Sequence, residues 1–341
     1  MKIVRHLLSP LAWLYLLVTQ LRNSAFSKGW LQSRAFDVPV VAIGNLSTGG
    51  TGKTPMTEYL LAQFPQKEKV VVSRGYGRKT QGCLPVNPKG KAEDFGDEPL
   101  QIAKRFTNTA VWVSEKRVKG IEKALQEKPQ ANLVVLDDAY QHRYVKAGFS
   151  VLLTTFKAPF FKDFVLPKGN LRESREGANR AQAIVVTKCP ANLSAQKQII
   201  YRQLIQKYSK APVFFSTLRY GLPVNPSGQT LKSHSIYLLT GIANPEPLMH
   251  HLKREYQIRK HLKFKDHHAF NSQEIKQLTH LLRSNGLPLI TTQKDWVRLG
   301  PEIPVELHPL CFVVPIEIGW LGNDQDAFGE LLKTYINAAA N

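Results

Sequence analysis

The chain has 341 residues, and 43% are hydrophobic, a composition that indicates a folded globular protein and excludes a disordered one. Its length allows two α/β domains with substantial cores. Lys and Arg total 46 against 26 Asp and Glu, and the net charge of +20 favours anionic partners: nucleic acid, an anionic bilayer or a phosphorylated substrate. The three cysteines lack a CxxC pair, which argues against a disulfide framework and a zinc site and suits a reducing cytoplasm.

The N-terminus carries an uncharged apolar segment over residues 7–21, flanked by Lys2, Arg5, Arg22, Lys28 and Arg34. Ser9 before Pro10 predicts an N-cap with proline in the first turn. A helix over residues 10–21 would be roughly 18 Å long, whereas the hydrocarbon core of a bilayer is about 30 Å thick. We therefore expect an anchor that lies in the membrane interface. A core helix is the alternative, and a cleaved signal peptide fits less well because Arg22 directly follows the apolar run.

After residue 34, short apolar runs alternate with segments of helical length. Most of the runs are unbroken and rich in Val, Ile and Leu, as expected of parallel strands that are buried on both faces. Strands are predicted over residues 38–43, 70–73, 110–113, 133–136, 151–154, 183–187, 213–215, 236–240, 289–292 and 312–315, and helices over 54–64 and 273–284. This pattern is typical of an α/β protein.

The expected fold is a P-loop NTPase-like parallel-sheet domain and a second, smaller α/β domain, preceded by a membrane-associated helix. We expect the helix and its basic flank over residues 1–34, the nucleotide domain over 35–155 and the second domain over 156–341. Residues 156–179 are rich in Lys, Arg, Pro and Gly, which predicts an interdomain linker near them.

The most specific motif follows the strand predicted over residues 38–43 and runs into the next predicted helix. It consists of Ser47, Thr48, Gly49, Gly50, Thr51, Gly52, Lys53 and Thr54. In this strand–loop–helix context the backbone N–H groups converge on phosphate oxygens, and the helix N-terminus adds partial positive charge. Lys53 is expected on the β- and γ-phosphates and the Thr54 hydroxyl on Mg²⁺. Serine replaces the usual first glycine, but the pattern still predicts nucleotide binding.

Acidic residues and histidines elsewhere suit the same chemistry. Asp137 and Asp138 end an apolar strand, where one of them would hold Mg²⁺ directly or through water. Asp97 precedes a predicted helix, where N-capping is the simpler explanation. His267 and His268 follow an aspartate, and either could accept a proton near neutral pH.

Seven segments occur in this order: residues 44–55 (GNLSTGGTGKTP), 73–78 (SRGYGR), 96–99 (GDEP), 136–142 (LDDAYQH), 241–245 (GIANP), 264–268 (FKDHH) and 291–295 (TTQKD). Together with the apolar N-terminal helix they resemble the tetraacyldisaccharide 4'-kinase family of the lipid A pathway. Each segment is modest alone, but seven in order over nearly the whole chain are highly specific.

The resemblance implies transfer of the γ-phosphate of ATP, with Mg²⁺, to the 4'-hydroxyl of a tetraacylated, 1-phosphorylated glucosamine disaccharide, which gives lipid IVA. It also implies attachment to the cytoplasmic face of the bacterial inner membrane. That location agrees with the independent interpretation of the N-terminal helix and of the positive charge, because an acylated substrate stays in the bilayer. No protein partner is evident from the sequence.

The resemblance also assigns candidate roles to single residues. Asp97 would orient and polarise His267, which would accept the proton of the sugar hydroxyl. Glu173 is a weaker candidate for a metal or substrate contact. Candidates for contacts to substrate or phosphate are Arg74, Arg78, Arg117, His142 and Arg172, and a solvated surface charge is the alternative for each arginine.

Two other functions suit a basic P-loop protein. A nucleic-acid-dependent ATPase would use the positive charge on a polyphosphate backbone, but the basic residues are dispersed and no nucleic-acid-binding module is evident. We therefore predict no nucleic-acid partner. A membrane-associated nucleotide switch is the second alternative, and it would hydrolyse ATP without an acceptor.

Overall fold

The structure, a computed structural model, describes residues 8–339 of the chain. Its strands are β1 (Val40–Asn45), β2 (Lys69–Ser73), β3 (Leu84–Pro85), β4 (Thr109–Val113), β5 (Leu133–Leu136), β6 (Phe149–Thr155), β7 (Ala183–Thr187), β8 (Val213–Tyr220), β9 (Ser235–Thr240), β10 (Gln257–Lys263), β11 (Leu289–Thr292), β12 (Cys311–Val314) and β13 (Ile316–Trp320). Each strand predicted from the sequence has a counterpart here. The sequence analysis missed β3, β10 and β13.

The helices surround these strands. They are α1 (Ser9–Ser27), α2 (Lys53–Gln63), α3 (Ala92–Phe95), α4 (Asp97–Arg105), α5 (Arg117–Glu127), α6 (Ala195–Gln206), α7 (Glu246–Leu252), α8 (Ser272–Asn285), α9 (Gln293–Leu299) and α10 (Asp324–Ala338). Short 3₁₀ turns lie at Phe160–Lys162, Arg175–Arg180, Gly300–Glu302 and Val305–Leu310.

The first sheet has nine strands in the order β13-β8-β7-β6-β1-β5-β2-β4-β3. Its seven central strands are parallel, and the edge strands β3 and β13 pair antiparallel. The chain leaves β1 towards one side of the sheet and returns on the other side at β6. The carboxyl end of β1 is therefore a topological switch point, where open α/β sheets bind their ligands.

Both faces of this sheet are buried, which explains the unbroken apolar runs. Val41 and Ile43 of β1 pack in one cluster with Met56 and Leu60 of α2. The alternate residues of the same strand, such as Ala42, pack on the opposite face in a second cluster with residues of α5. Neighbouring side chains of one strand thus enter two different cores.

The second sheet has four parallel strands in the order β10-β9-β11-β12. Leu278 and Leu282 of α8 belong to the apolar cluster on one side, and Leu248 and Leu252 of α7 belong to a second cluster. The carboxyl ends of β10 and β11 lead into the two segments that approach the first sheet, residues 264–268 and α9.

The predicted division near residues 156–179 does not separate the two sheets. Strands β7 and β8 follow that segment, yet β7 pairs with β6 and β8 pairs with β7. Strand β13 and helix α10 also return to the first sheet, where Phe328 and Leu332 join the large apolar cluster. An apolar strand looks the same in sequence whichever sheet it joins, so composition misplaced the boundary; the second sheet spans residues 235–314.

Helix α1 is longer than the sequence predicts, because it continues to Ser27. Pro10 lies in the first turn as expected, but Leu8 holds the N-cap position and no side chain caps the helix, so the predicted capping by Ser9 is wrong. None of the helices within residues 8–339 is both long and apolar enough to cross a membrane. Lys2 and Arg5, the first residues of the predicted basic flank, lie outside the described residues.

One face of α1 rests on the protein and the other is apolar and exposed. Ala12 and Phe26 are buried, and the ring of Phe26 packs edge-on against Tyr144. The exposed apolar side chains of the helix, each more than half accessible, are Leu11, Trp13, Leu14, Leu17, Val18 and Leu21. The helix therefore presents a stripe of Leu, Val and Trp to solvent.

Candidate active site

The loop after β1 has the backbone of a phosphate cradle. Gly49 and Gly52 have φ angles of 102° and 89°, a region that is unfavourable for residues with a Cβ atom. Helix α2 begins at Lys53, directly after Gly52, so that its free N–H groups face the loop. The Thr51 hydroxyl is buried and has no hydrogen-bond partner among the described residues. A bound phosphate would supply acceptors to such a loop.

Three contacts brace this loop from neighbouring segments. The Thr187 hydroxyl donates to the carbonyl of Thr51 at 2.8 Å, and Lys188 Nζ donates to the carbonyl of Gly50 at 2.6 Å. The Thr48 N–H donates to the carbonyl of Asn170 at 2.8 Å. Burial, reinforced by the nearby Lys53, lowers the pKa of Lys188. Two ammonium groups therefore meet at this loop, which favours an anionic ligand.

The carboxylates expected on the metal side lie at the carboxyl end of β5. Asp137 is buried and accepts hydrogen bonds from the Thr57 hydroxyl at 3.1 Å and the Ser73 hydroxyl at 3.4 Å. Burial, reinforced by the charge of Asp138, raises its pKa to about 6. Asp138 has a φ of 47° and lies 3.6 Å from Lys53 Nζ. The two carboxylates thus face the loop lysine from the next strand.

The donor set fits Mg²⁺ bound together with a nucleotide. No three His, Cys, Asp or Glu side chains within residues 8–339 cluster closely enough to hold a metal by themselves. Mg²⁺ in nucleotide enzymes usually takes one or two carboxylates and completes its octahedron with phosphate oxygens and waters. Asp137, Asp138 and the hydroxyl of Thr54 at the start of α2 provide ligands of that kind.

Glu173, predicted as a weaker candidate for a metal or substrate contact, already has partners within the protein. Its carboxylate is buried and accepts hydrogen bonds from Asn23 Nδ2 at 2.7 Å, Arg180 at 2.8 Å and Gln141 Nε2 at 3.1 Å. Asn23 belongs to α1, and Gln141 follows the Asp137-Asp138 pair by three residues. Glu173 therefore connects the N-terminal helix to the loop after β5.

Positive side chains line the same edge of the sheet. Arg117 is buried and donates to the carbonyls of Ser114 at 2.8 Å and Asp137 at 3.4 Å, and burial lowers its pKa to about 10. His142 Nε2 accepts from the Arg117 N–H at 3.3 Å, and burial, with Arg117 beside it, lowers its pKa to about 4. His142 is therefore neutral at pH 7, whereas exposed Arg74 adds a charge near both residues.

The remaining two candidate arginines have different surroundings. Arg172 Nη1 lies 3.4 Å from Asp138 Oδ1, so it joins the group around Lys53. Arg78 is buried, pairs with Glu115 and donates to the carbonyl of Gly82 at 2.6 Å. These contacts hold Arg78 in its own loop, and its contact with a phosphate stays a prediction.

The structure brings Asp97 and His267 together, although 170 positions separate them. His267 Nδ1 lies 2.8 Å from Asp97 Oδ2, which connects α4 of the first sheet to the turn after β10 of the second. The hydrogen bond with Asp97 raises the pKa of His267 above its ordinary value. His268 turns away, since its ring stacks on Phe264 and its Nε2 lies 2.9 Å from Glu274. His267 is therefore the histidine that faces the first sheet.

Neighbouring side chains and loops fix the position of Asp97. Its side chain is only 8% exposed, and Arg298 of α9 lies 3.6 Å from the same carboxylate oxygen. Arg298 also pairs with buried Asp295, which accepts from the N–H of Gly241 at 3.0 Å. A Cβ at Gly96 would come within 2.9 Å of the Tyr76 carbonyl, so glycine is required for the loops to approach this closely.

A family model described as tetraacyldisaccharide-1-P 4'-kinase matches residues 4–337. The chain belongs to this family. Among its relatives are tetraacyldisaccharide 4'-kinases from Flavobacterium johnsoniae, 42% identical over 98% of both chains, and from Cytophaga hutchinsonii, 42% identical over 96% of this chain and 94% of the relative. Among solved structures, LpxK from Aquifex aeolicus in complex with ATP is similar with a TM-score of 0.78 at 27% identity, covering 98% of this chain and 99% of that one.

Membership of this family makes the chain an enzyme of the kinase class. The sequence analysis did not predict two parts of its site. Lys188 directly follows the buried run 183–187, and a lysine at the carboxyl end of a strand beside the P-loop was the available signal. Tyr15 of α1 donates to the carbonyl of Arg172 at 2.7 Å, and Arg22 donates to the carbonyl of Gln141 at 3.2 Å. The apolar composition of α1 gave no sign of these polar contacts.

Replacing Lys188 by Met should loosen the phosphate loop, since the hydrogen bond to the Gly50 carbonyl is lost. Hydrogen bonds to charged groups contribute about 1.5–3 kcal/mol, so we expect the affinity for Mg-ATP to fall roughly tenfold to a hundredfold. Isothermal titration calorimetry with Mg-ATP measures this change.

Two further variants serve as comparisons, one that should lose activity and one that should behave like the native protein. Lys53→Ala should reduce kcat by orders of magnitude with an unchanged fold, because the charge on the β- and γ-phosphates is removed. Lys197→Met removes an exposed charge from α6 and should leave Mg-ATP affinity unchanged. Native affinity in Lys188→Met would contradict a bracing role for Lys188.

Proposed function

We propose that the chain transfers the γ-phosphate of ATP to the 4'-hydroxyl of a tetraacylated, 1-phosphorylated glucosamine disaccharide and so forms lipid IVA. Its membership of the 4'-kinase family assigns lipid A 4'-kinase activity to it. The observation that supports the mechanism is the 2.8 Å contact of His267 with Asp97, in which an imidazole that follows β10 meets a carboxylate of α4.

The nucleotide would lie on the loop of residues 47–54. Lys53 would contact the β- and γ-phosphates, while Thr54 with Asp137 or Asp138 would hold Mg²⁺. When bound, Mg²⁺ neutralises charge on the phosphates. Arg172 adds positive charge 3.4 Å from Asp138, and Arg74 and Arg117 line the same edge of the sheet. Such an arrangement suits phosphoryl transfer, which asks a protein chiefly for positioning and charge stabilisation.

His267 would take the proton of the acceptor hydroxyl. A sugar hydroxyl is a weak nucleophile, and its proton must leave as its oxygen attacks phosphorus. With Nδ1–H donating to Asp97, the lone pair of Nε2 is the one that accepts this proton, and the Asp97 carboxylate stabilises the imidazolium that forms. Asp97 and His267 come from different sheets, so this base is complete only when the two sheets are together. Their closure would exclude water and limit wasteful ATP hydrolysis.

Helix α1 would hold the enzyme on the cytoplasmic face of the inner membrane. Its exposed side chains are Leu, Val and Trp, and Trp13 is 74% exposed. Exposed Lys28 follows this stripe, where it would meet anionic head groups, whereas Arg22 donates to the Gln141 carbonyl and Arg34 pairs with Glu122. An interfacial helix with an apolar face and basic flanks is typical of proteins that bind one leaflet. The acylated substrate lies in that leaflet.

The proposed activity is tested with labelled ATP and the disaccharide 1-phosphate in detergent micelles. We expect transfer of label to the lipid and little ATP hydrolysis without it. Hydrolysis that single-stranded DNA stimulates and lipid does not would instead favour a nucleic-acid-dependent ATPase. Hydrolysis without any acceptor would favour a nucleotide switch.

His267→Ala and Asp97→Ala should each lower kcat by roughly 10²–10⁴-fold, the usual range for general base catalysis. Because residues that act as a unit are not additive, the double variant should be little worse than the more damaged single one. Mg-ATP affinity should barely change in all three. Losses that multiply in the double variant would contradict a shared role.

The pH dependence follows from the raised pKa of His267. Its contact with Asp97 stabilises the fold most below pH 6.5 and less as the pH rises through the raised pKa. Catalysis needs the neutral imidazole, so activity should rise with pH through the same value.

Leu14→Ser, Leu17→Ser and Leu21→Ser together should release the enzyme from vesicles of phosphatidylethanolamine and phosphatidylglycerol. Burying a leucine contributes about 1.5–3 kcal/mol, so the partition coefficient should fall roughly a hundredfold or more. Vesicle sedimentation measures it.

The matched control replaces three exposed apolar residues elsewhere by serine: Ile199, Leu222 and Val305. Vesicle binding should stay native in this control. If the α1 variant also sedimented with vesicles like the native protein, α1 would not be the membrane contact.

A further inference from the structure

The ammonium group of Lys294 contacts Nε2 of His267, the nitrogen that accepts the proton in the proposed mechanism. Lys294 Nζ lies 2.9 Å from His267 Nε2, while His267 Nδ1 faces Asp97. Lys294 Nζ also lies 3.2 Å from Asp266 Oδ1 and 3.4 Å from Glu98 Oε1. Lys294 is the second residue of α9. The Thr292 side chain caps this helix, because it accepts a hydrogen bond from the Asp295 N–H at 3.1 Å.

The two partners of His267 determine where its proton resides. An ammonium group only donates hydrogen bonds, and a carboxylate only accepts them. Nε2 beside Lys294 must therefore present its lone pair, and Nδ1 beside Asp97 must carry the hydrogen. A protonated ring would direct its Nε2–H at the ammonium group, so this position of Lys294 disfavours the imidazolium.

We propose that Lys294 is a positioning residue: it holds His267 as the neutral tautomer with hydrogen on Nδ1, and it yields Nε2 to the acceptor hydroxyl. This inference rests on the proposed role of His267 as the proton acceptor. When the hydroxyl replaces Lys294, its O–H bond breaks and an N–H bond forms at Nε2. The electron pair stays on the oxygen, which bonds to the γ-phosphorus while the bond to the ADP oxygen breaks.

Lys294 can leave Nε2 without losing its other partners. Asp266 and Glu98 both lie within 3.4 Å of the ammonium, so the charge stays paired after the hydrogen bond to His267 is lost. Its side chain is 23% exposed, which leaves room for a small displacement. When the hydroxyl replaces Lys294, one hydrogen bond to Nε2 is exchanged for another, and the Lys294 ammonium group remains paired.

The charged groups around His267 predict the direction of the pH effect. Asp97 and Glu98 of α4 and Asp266 of its own turn are anionic, whereas Lys294 and Arg298 of α9 are cationic; the exposed ring of Tyr76 lies 5.7 Å away. Asp97 raises the pKa of His267, and Lys294 opposes that rise. Removing Lys294 should therefore raise the pKa further and extend the protonated, inactive form to higher pH.

The test compares Lys294→Met, Lys294→Arg and the control Lys276→Met, which removes an exposed charge from α8. We expect kcat of Lys294→Met to fall roughly tenfold to a hundredfold at pH 7 and the acid limb of its pH–rate profile to move up by about one unit, with Mg-ATP affinity unchanged. Lys294→Arg keeps a cationic donor and should recover most of the activity. Lys276→Met should behave like the native enzyme.

A second measurement needs no variant of Lys294. In ¹⁵N-histidine spectra of the ligand-free native enzyme, recorded above the pKa of His267 and with His267 assigned by comparison with His267→Asn, Nδ1 should carry the proton and Nε2 should be bare. A proton on Nε2 would overturn the inference, and so would a native pH profile in Lys294→Met or a change confined to the KM for the lipid. If His267→Ala kept native kcat, the proposed base itself would fail, an outcome that the Lys294 variants do not mimic.

Discussion

The contact between His267 and Asp97 joins two sheets that also meet where Val297 of α9 packs in the apolar cluster of the first sheet. One sheet carries the phosphate loop and its carboxylates; the other carries the imidazole. Because a hydrogen bond requires about 3 Å between its heavy atoms, this contact constrains the turn after β10 relative to α4. The ion pairs of Lys294 with Glu98 and of Arg298 with Asp97 constrain α9 against the same helix. Gly96 permits that placement on one side, and the paired Arg298 and Asp295 stiffen it on the other. The proposed chemistry depends on this geometry more than on either sheet alone.

Helix α1 belongs to the same arrangement. Tyr15 and Asn23 bind the segment of Arg172 and Glu173, and Arg172 in turn approaches Asp138 beside the loop lysine. The helix has an apolar face toward solvent and polar contacts toward the protein. Tyr15 and Arg172 therefore connect the proposed membrane contact to the proposed metal site. The lipid surface and the phosphate donor would then be held in a fixed relation, which suits a family that acts on a lipid disaccharide.

The sequence predicts the first sheet well because strands buried on both faces leave continuous apolar runs, and β5, β7 and β11 lie at the predicted residues. It misses β10, an exposed edge strand whose polar residues show no such run. The P-loop is readable because its residues are contiguous. Asp97 and His267 meet only through tertiary structure, and the family resemblance indicated them. The contacts of Lys188, Lys294 and Glu173 also arise only in the tertiary structure. No local sequence pattern shows whether Glu173 binds Asn23 or a metal ion.

The central claim is that Asp97 and His267 form one unit across the two sheets. Its most direct test is an NMR pH titration of the His267 ring in the native enzyme and in Asp97→Asn, a change that keeps the shape and removes the charge. The hydrogen bond to Asp97 is the main cause of the raised pKa, so His267 should titrate above pH 6.5 in the native protein and at clearly lower pH in the variant. Identical titration curves in the two proteins would contradict the account, because the two residues would then not be in contact in solution.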